Sequence, residues 1–174
     1  MGVSGRQTHD KSVVMVAVEL LSPKGFGRVR LRQVPDTSGS NLIGFICDVV
    51  EPGSEVHTDG LLAYRDLPEH GYRHTFNVIT GSGVRAHVSL PAVHRIAALL
   101  KRWLLGTHQG SVSAKHLDYY LDEFTFRFNR RASGARGLLF YRLLQQALEV
   151  APVPYRRIVG GKEIDAGKVV EHNL

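Results

Sequence analysis

The sequence predicts an α/β fold with mixed strand pairing, on three observations. Short β-branched runs bounded by Pro and Gly fill the first half of the chain. An amphipathic helical segment interrupts them after the second run, so that strands and helices alternate. Three longer segments with helical periodicity then occupy most of the second half.

Each element has its own local reason. Residues 12–21, SVVMVAVELL, are too short for a comfortable helix and read as a buried strand. SPKGFG turns the chain, with Pro23, Gly25 and Gly27 as breakers. In RVRLRQV the parity is two: Val29 and Leu31 face one way, Arg28, Arg30 and Arg32 the other. This predicts a half-exposed strand completing a hairpin. Leu42, Ile43, Phe45, Ile46, Val49 and Val50 then recur at helical spacing, with Ser38 or Ser40 as caps and Pro52-Gly53 as the stop.

EVHT is a short strand, GLLAYRDL a short helix and YRHTFNVI a further strand. Val93, Ile96, Ala97, Leu100 and Leu104 form the stripe of a helix expected to end at Gly106. Leu117, Tyr120, Leu121, Phe124 and Phe128 form the stripe of the next, and GLLFYRLLQQALEV is the last. The polar stretch after Pro152 reads as a loosely ordered tail. There is no internal repeat.

Composition narrows the function classes. At 174 residues, 43% hydrophobic and 22% charged, the chain has the make-up of an ordinary globular domain. No apolar run approaches the roughly 18 residues of a membrane span. A lone cysteine, Cys47, excludes an internal disulfide, fits a reducing cytoplasm and reads as a small buried hydrophobe. No motif points to a small organic cofactor or a small-molecule substrate.

The net charge of +6 is unevenly placed. Residues 1–80 carry a net −1 and residues 81–174 a net +7. Between Arg95 and Arg142, nine basic residues stand against three acidic ones. A concentrated cationic region matches a polyanion, because neutralising phosphates releases counterions. A solvated basic helix face has the same composition.

Two placements bear on chemistry. Asp59 follows the strand EVHT and precedes Gly60, as a turn residue or a strand-end carboxylate. His94 and Lys101 are seven residues apart, so they share a helix face to within about 20°. Ala97 and Ala98 between them leave room for a phosphate backbone, or simply line an exposed polar face. His57, two residues before Asp59 and on the same face of the strand, reads as a core histidine ahead of a residue supporting Asp59. His70 and His74, four apart, and His87 and His94, seven apart, lack the partners of a usual zinc site.

VHTDGLLAYRDLPEHGYRH, VHRIAALLKRWLLGTHQGSVSAKHL and YYLDEFTFRFNRR resemble the core of DDE-type insertion-sequence transposases, specifically the ISXO-like domain. The resemblance runs over 5–151 and implies an RNase H-like mixed sheet with helices on both faces, within one catalytic domain followed by the 152–174 tail. It implies that Asp59 is the second catalytic carboxylate and His94 the third metal-site residue. Lys101, with Arg102 beside it, and Arg127, Asn129, Arg130 and Arg131 would contact DNA. Two magnesium or manganese ions would activate water or a DNA 3′-hydroxyl and stabilise the leaving oxygen.

The implied function is DNA cleavage and strand transfer by a cytoplasmic bacterial homodimer acting on an insertion sequence. The strand bearing that family's first catalytic aspartate has no match here; Asp10 does not replace it. The expectation is therefore an RNase H-like fold incomplete at its N-terminus. The alternative function is an inactive transposase remnant that binds DNA nonspecifically through its basic C-terminal half.

Overall fold

The structure is a computed structural model that describes residues 12–76 and 90–160. Its contacts divide the chain into two compact units, residues 1–112 and 113–174.

In the first unit, β1 (Val13–Leu20) and β2 (Phe26–Val34) form an antiparallel hairpin in which Val13 faces Val34 and Val18 faces Val29. A register shift between Val18 and Leu20 admits one extra residue near the turn. The helix α1 (Gly39–Val49) follows and buries Leu42, Ile43, Phe45 and Ile46, the core of the stripe read from spacing. β3 (Glu55–Thr58) pairs in parallel with β4 (Arg73–Phe76). Between them the expected short helix is two 3₁₀ turns, Leu62–Tyr64 and Leu67–His70.

Strand pairing is mixed, as the alternation of elements predicted, but it forms two separate two-stranded ladders among the described residues. One core nevertheless joins them. Ile43, Phe45 and Ile46 of α1 pack with Leu67 and Tyr72, and Met15 and Ala17 of β1 and Val56 of β3 close on the same cluster. Tyr72 donates its hydroxyl to the Val50 carbonyl at 2.8 Å, which satisfies a polar atom at the edge of that core.

The hairpin is covered more fully than its parity implied. Met15 and Ala17 face Arg32 and Arg30 across the ladder, so the arginine face is the one turned to α1. Arg32 lies over the Phe45 ring at 5.3 Å and pairs with Asp48 at 2.6 Å. Its stem covers apolar surface while its head remains polar. Val29, on the opposite face, is fully buried.

α2 (Pro91–His108) packs along β1 and buries Ala92, Ile96 and Leu100. It begins with Pro at its first turn, where a missing N–H is harmless. It does not stop at Gly106. The left-handed residues are Gln109 and Gly110, and both the Gln109 and Gly110 N–H groups reach back to the Leu104 carbonyl. An exposed Gly costs a helix only about 1 kcal/mol, too little to end it.

At α1 the cap residue is Ser38, one of the two serines expected, and Asp36 supports it. Ser38 occupies the cap position without a side-chain cap bond. The Asp36 carboxylate accepts the Ser38 N–H and the Asn41 amide, both at 2.8 Å. Cys47 is exposed, a correction to its reading as buried. It projects about 120° from the centre of the α1 stripe, so helical geometry turns it outward.

In the second unit, a 3₁₀ turn (Ala114–His116) leads into α3 (Leu117–Asn129), which buries Leu117, Leu121 and Phe124. α4 (Leu138–Glu149) follows and buries none of its residues. α5 (Tyr155–Gly160) stands where a loose tail was expected. Lys115 and His116 are bonded to the Val159 and Ile158 carbonyls, at 2.6 and 2.8 Å, which ties that helix to the start of α3. Asp10, His87, the end of the strand expected over 72–79, and residues 161–174 lie outside the described residues.

Candidate functional site

Asp59 sits directly after β3, with an exposed side chain. Its carboxylate accepts the Leu61 N–H at 3.3 Å, a turn-forming bond that orients it. Gly60 between them has φ +76°, which residues with a Cβ rarely adopt. The sequence DG thus builds the turn and holds the carboxylate at the strand end together. Tyr64, in the next 3₁₀ turn, is mostly buried; burial first, and the Asp59 charge second, push its hydroxyl up to about 12.

The histidines near this strand are polar links in the β3–β4 ladder. His57 is exposed, a correction to the core reading; its Nδ1 lies 2.6 Å from the Thr75 hydroxyl, its direct partner in the ladder. Its Nε2 is 3.5 Å from Glu55. Parity places its ring opposite the buried neighbour Thr58, whose hydroxyl meets His74 Nε2 at 2.9 Å. Burial holds the His74 imidazole below its ordinary range.

His94 lies in the first turn of α2, and Lys101 and Arg102 lie about two turns before its C-terminal end; all three are exposed. His94 and Lys101 share the solvent side of α2, about 10 Å apart along its axis, while Ile96 and Leu100 face the core. Among the described residues, no three His, Cys, Asp or Glu side chains are grouped to hold a metal ion. Magnesium and manganese call for oxygen-rich, near-octahedral shells. Among the described residues, Asp59 and His94 alone, one carboxylate and one imidazole, do not complete such shells.

The basic residues of the second unit are backed by aromatic rings. Arg130 lies over Phe126 at 4.0 Å and Arg131 over Phe128 at 3.9 Å. Phe124 and Phe128 stack below at 6.0 Å. Such stacking holds a guanidinium without neutralising it. Glu123, one turn before Arg127, pairs with it at 2.8 Å. Asn129 and Arg130 line an open cavity of about 280 Å³ with Ala132, Ser133, Leu139 and Arg142. Arg142 was not singled out by spacing; it lies twelve residues beyond Arg130, across an irregular turn.

The ISXO2-like transposase domain family matches residues 1–129. This chain belongs to that family. No curated protein matches it. The transposase-domain match covers Asp59, His94, Lys101, Arg102, Arg127 and Asn129, and stops short of Arg130 and Arg131. It also leaves α4 and α5 outside, where the resemblance read from motifs extended to 151. No helix of this transposase-family chain is long and apolar enough, among the described residues, to cross a membrane.

Proposed function

We propose that this chain acts on the DNA ends of an insertion sequence, as a homodimeric domain for cleavage and strand transfer. Membership of the transposase domain family carries the reading. The exposed strand-end carboxylate of Asp59 supports it, since carboxylates of that placement are what phosphodiester chemistry requires of a metal-dependent enzyme. The two ladders sharing α1 are compatible with an RNase H-like sheet in which a further strand lies between β1 and β3. In that arrangement Asp59 ends a strand beside the centre of the sheet.

DNA is held by exposed basic residues of each unit. Lys101 and Arg102 on α2, and Arg130 and Arg131 after α3, present charge to phosphates while their helices bury the opposite side. Arg127 contributes less than Lys101, because Glu123 already compensates it. His94 shares the solvent side of α2 with Lys101, and its exposed imidazole would hydrogen-bond a phosphate bound there.

A second reading is supported by the donor set of one carboxylate and one imidazole. In it the chain binds DNA without cutting it. The decisive experiment compares the wild-type chain with Asp59→Ala on DNA carrying the element's terminal repeats, with magnesium or manganese. Cleavage or strand joining lost in Asp59→Ala establishes the first reading. Salt-sensitive binding with no cleavage by either protein establishes the second.

A further inference from the structure

The second unit holds a cavity that lies almost wholly beyond the family match. It is open, about 280 Å³ in volume, and sits where α3 turns into α4. The match ends at residue 129, so of the lining residues only Asn129 falls within it. The wall is polar in one sense only. Two guanidiniums, of Arg130 and Arg142, the Asn129 amide and the Ser133 hydroxyl line it, and no carboxylate does.

The two arginines come from different elements. Arg130 is the C-terminal cap residue of α3, and Arg142 stands in the second turn of α4. Arg130 is half-buried and seated on the Phe126 ring at 4.0 Å, which sets its position before any ligand arrives. Arg142 is exposed and makes no ion pair among the described residues. The backbone agrees in sign. Leu139 lines the cavity from the first turn of α4, the end of a helix that favours an anion. The carbonyl end of α3 is already occupied. There the Phe128 carbonyl accepts both the Arg131 N–H, at 3.2 Å, and the Arg131 guanidinium, at 2.9 Å.

We infer that this cavity holds one phosphate group of a DNA backbone, clamped between Arg130 and Arg142, with Asn129 and Ser133 donating to its oxygens. A guanidinium fork matches the unesterified oxygens of a phosphodiester. Pockets for small ligands begin at about 300 Å³, so this one takes a phosphate with its sugar, whose C–H groups would lie on Ala132 and Leu139. Its openness lets a strand enter and leave, as an internal phosphate requires. Arg131 does not line it. The clamp rests on the proposed DNA reading and adds to it α4, which contributes Arg142.

The test is the salt dependence of duplex DNA binding by the full chain without divalent ions, so that no cleavage is needed. Circular dichroism verifies that each variant keeps its helices. Arg142→Ala should lower the salt slope by about one, as Arg130→Ala does, because losing either arm releases the shared phosphate. The double variant should lower it by about one as well, not by two. Arg136→Ala removes an exposed charge of the same turn that does not line the cavity, and should lower it by much less. A fall of two in the double variant overturns the clamp, as does an Arg142→Ala effect no larger than that of Arg136→Ala. A wild type that binds no duplex overturns the DNA reading, and inorganic phosphate then decides the cavity alone. Phosphate raises the thermal midpoint of folded chains in general, so the comparison is between variants. A larger rise in the wild type than in Arg142→Ala supports the phosphate site with free phosphate as its occupant. Equal rises overturn it.

Discussion

α2 and α4 have the same kind of sequence and opposite fates. Each carries an apolar stripe at helical spacing and a basic residue on its flank. α2 presses its stripe on β1 and leaves nothing of Ile96 exposed, whereas Leu148 of α4 is 88% exposed. Periodicity announces that a face can be buried. What buries it depends on whether the same chain supplies an apolar surface opposite. For α2 the hairpin does so; α4 buries none of its residues.

The largest effect that tests this contrast is on stability. Ile96→Ala should destabilise the chain by about 2–5 kcal/mol in urea denaturation, through lost burial and the cavity left behind. Leu148→Ala, measured where the chain is monomeric, should change stability by no more than about 0.5 kcal/mol. A comparable loss for both would mean that α4 is covered from within its own chain.

The next effect sharpens the comparison of the two basic surfaces. Lys101→Ala on α2 and Arg130→Ala after α3 should each lower the salt slope of DNA binding by about one. Arg127→Ala should lower it less than Lys101→Ala, because its charge is already paired with Glu123. Equal slopes for the three variants would show that the ion pair opens when DNA binds.

A smaller effect concerns pH. Burial depresses the His74 pKa in the folded chain. The unfolded chain therefore binds its proton first as pH falls, and stability present above the ordinary histidine value of 6.5 declines below it until the folded value is passed. His74→Gln should flatten the thermal-midpoint profile between pH 7 and 5, a range centred near an ordinary histidine pKa. An unchanged profile would assign the acid sensitivity elsewhere.

The smallest is at Asp36. Hydrogen bonds from the Ser38 side chain, the Ser38 backbone and the Asn41 side chain hold its carboxyl below 3.8. Its contribution is present above that value and lost as pH falls through the lower, folded value. The stability difference between wild type and Asp36→Asn should accordingly vanish at the acid end of a thermal-denaturation series. A constant difference would mean that the loop is held by shape alone.

The candidate site was legible where chemistry is local. The pair Asp59-Gly60 states both the turn and the exposed carboxylate, and the seven-residue spacing of His94 and Lys101 states their common face. The aromatic backing of Arg130 and Arg131 was partly legible too, since each arginine lies three or four residues from its ring on a helix or its first turn beyond. Arg142 was not, because the turn that brings it beside Arg130 has no periodicity to read.

Taken by itself, the sequence determined the order of strands and helices, the stripes of α1, α2 and α3, and the carboxylate turn. Periodicity, capping residues and a glycine with positive φ act within a few residues of chain, so nothing distant is needed to read them. Only the tertiary structure decided that the arginine face of β2 turns to α1, that His57 joins Thr75 across a ladder, and that the apolar side chains of α4 stay uncovered. Those outcomes depend on what lies opposite each face, and that surface comes from residues far along the chain or from another molecule.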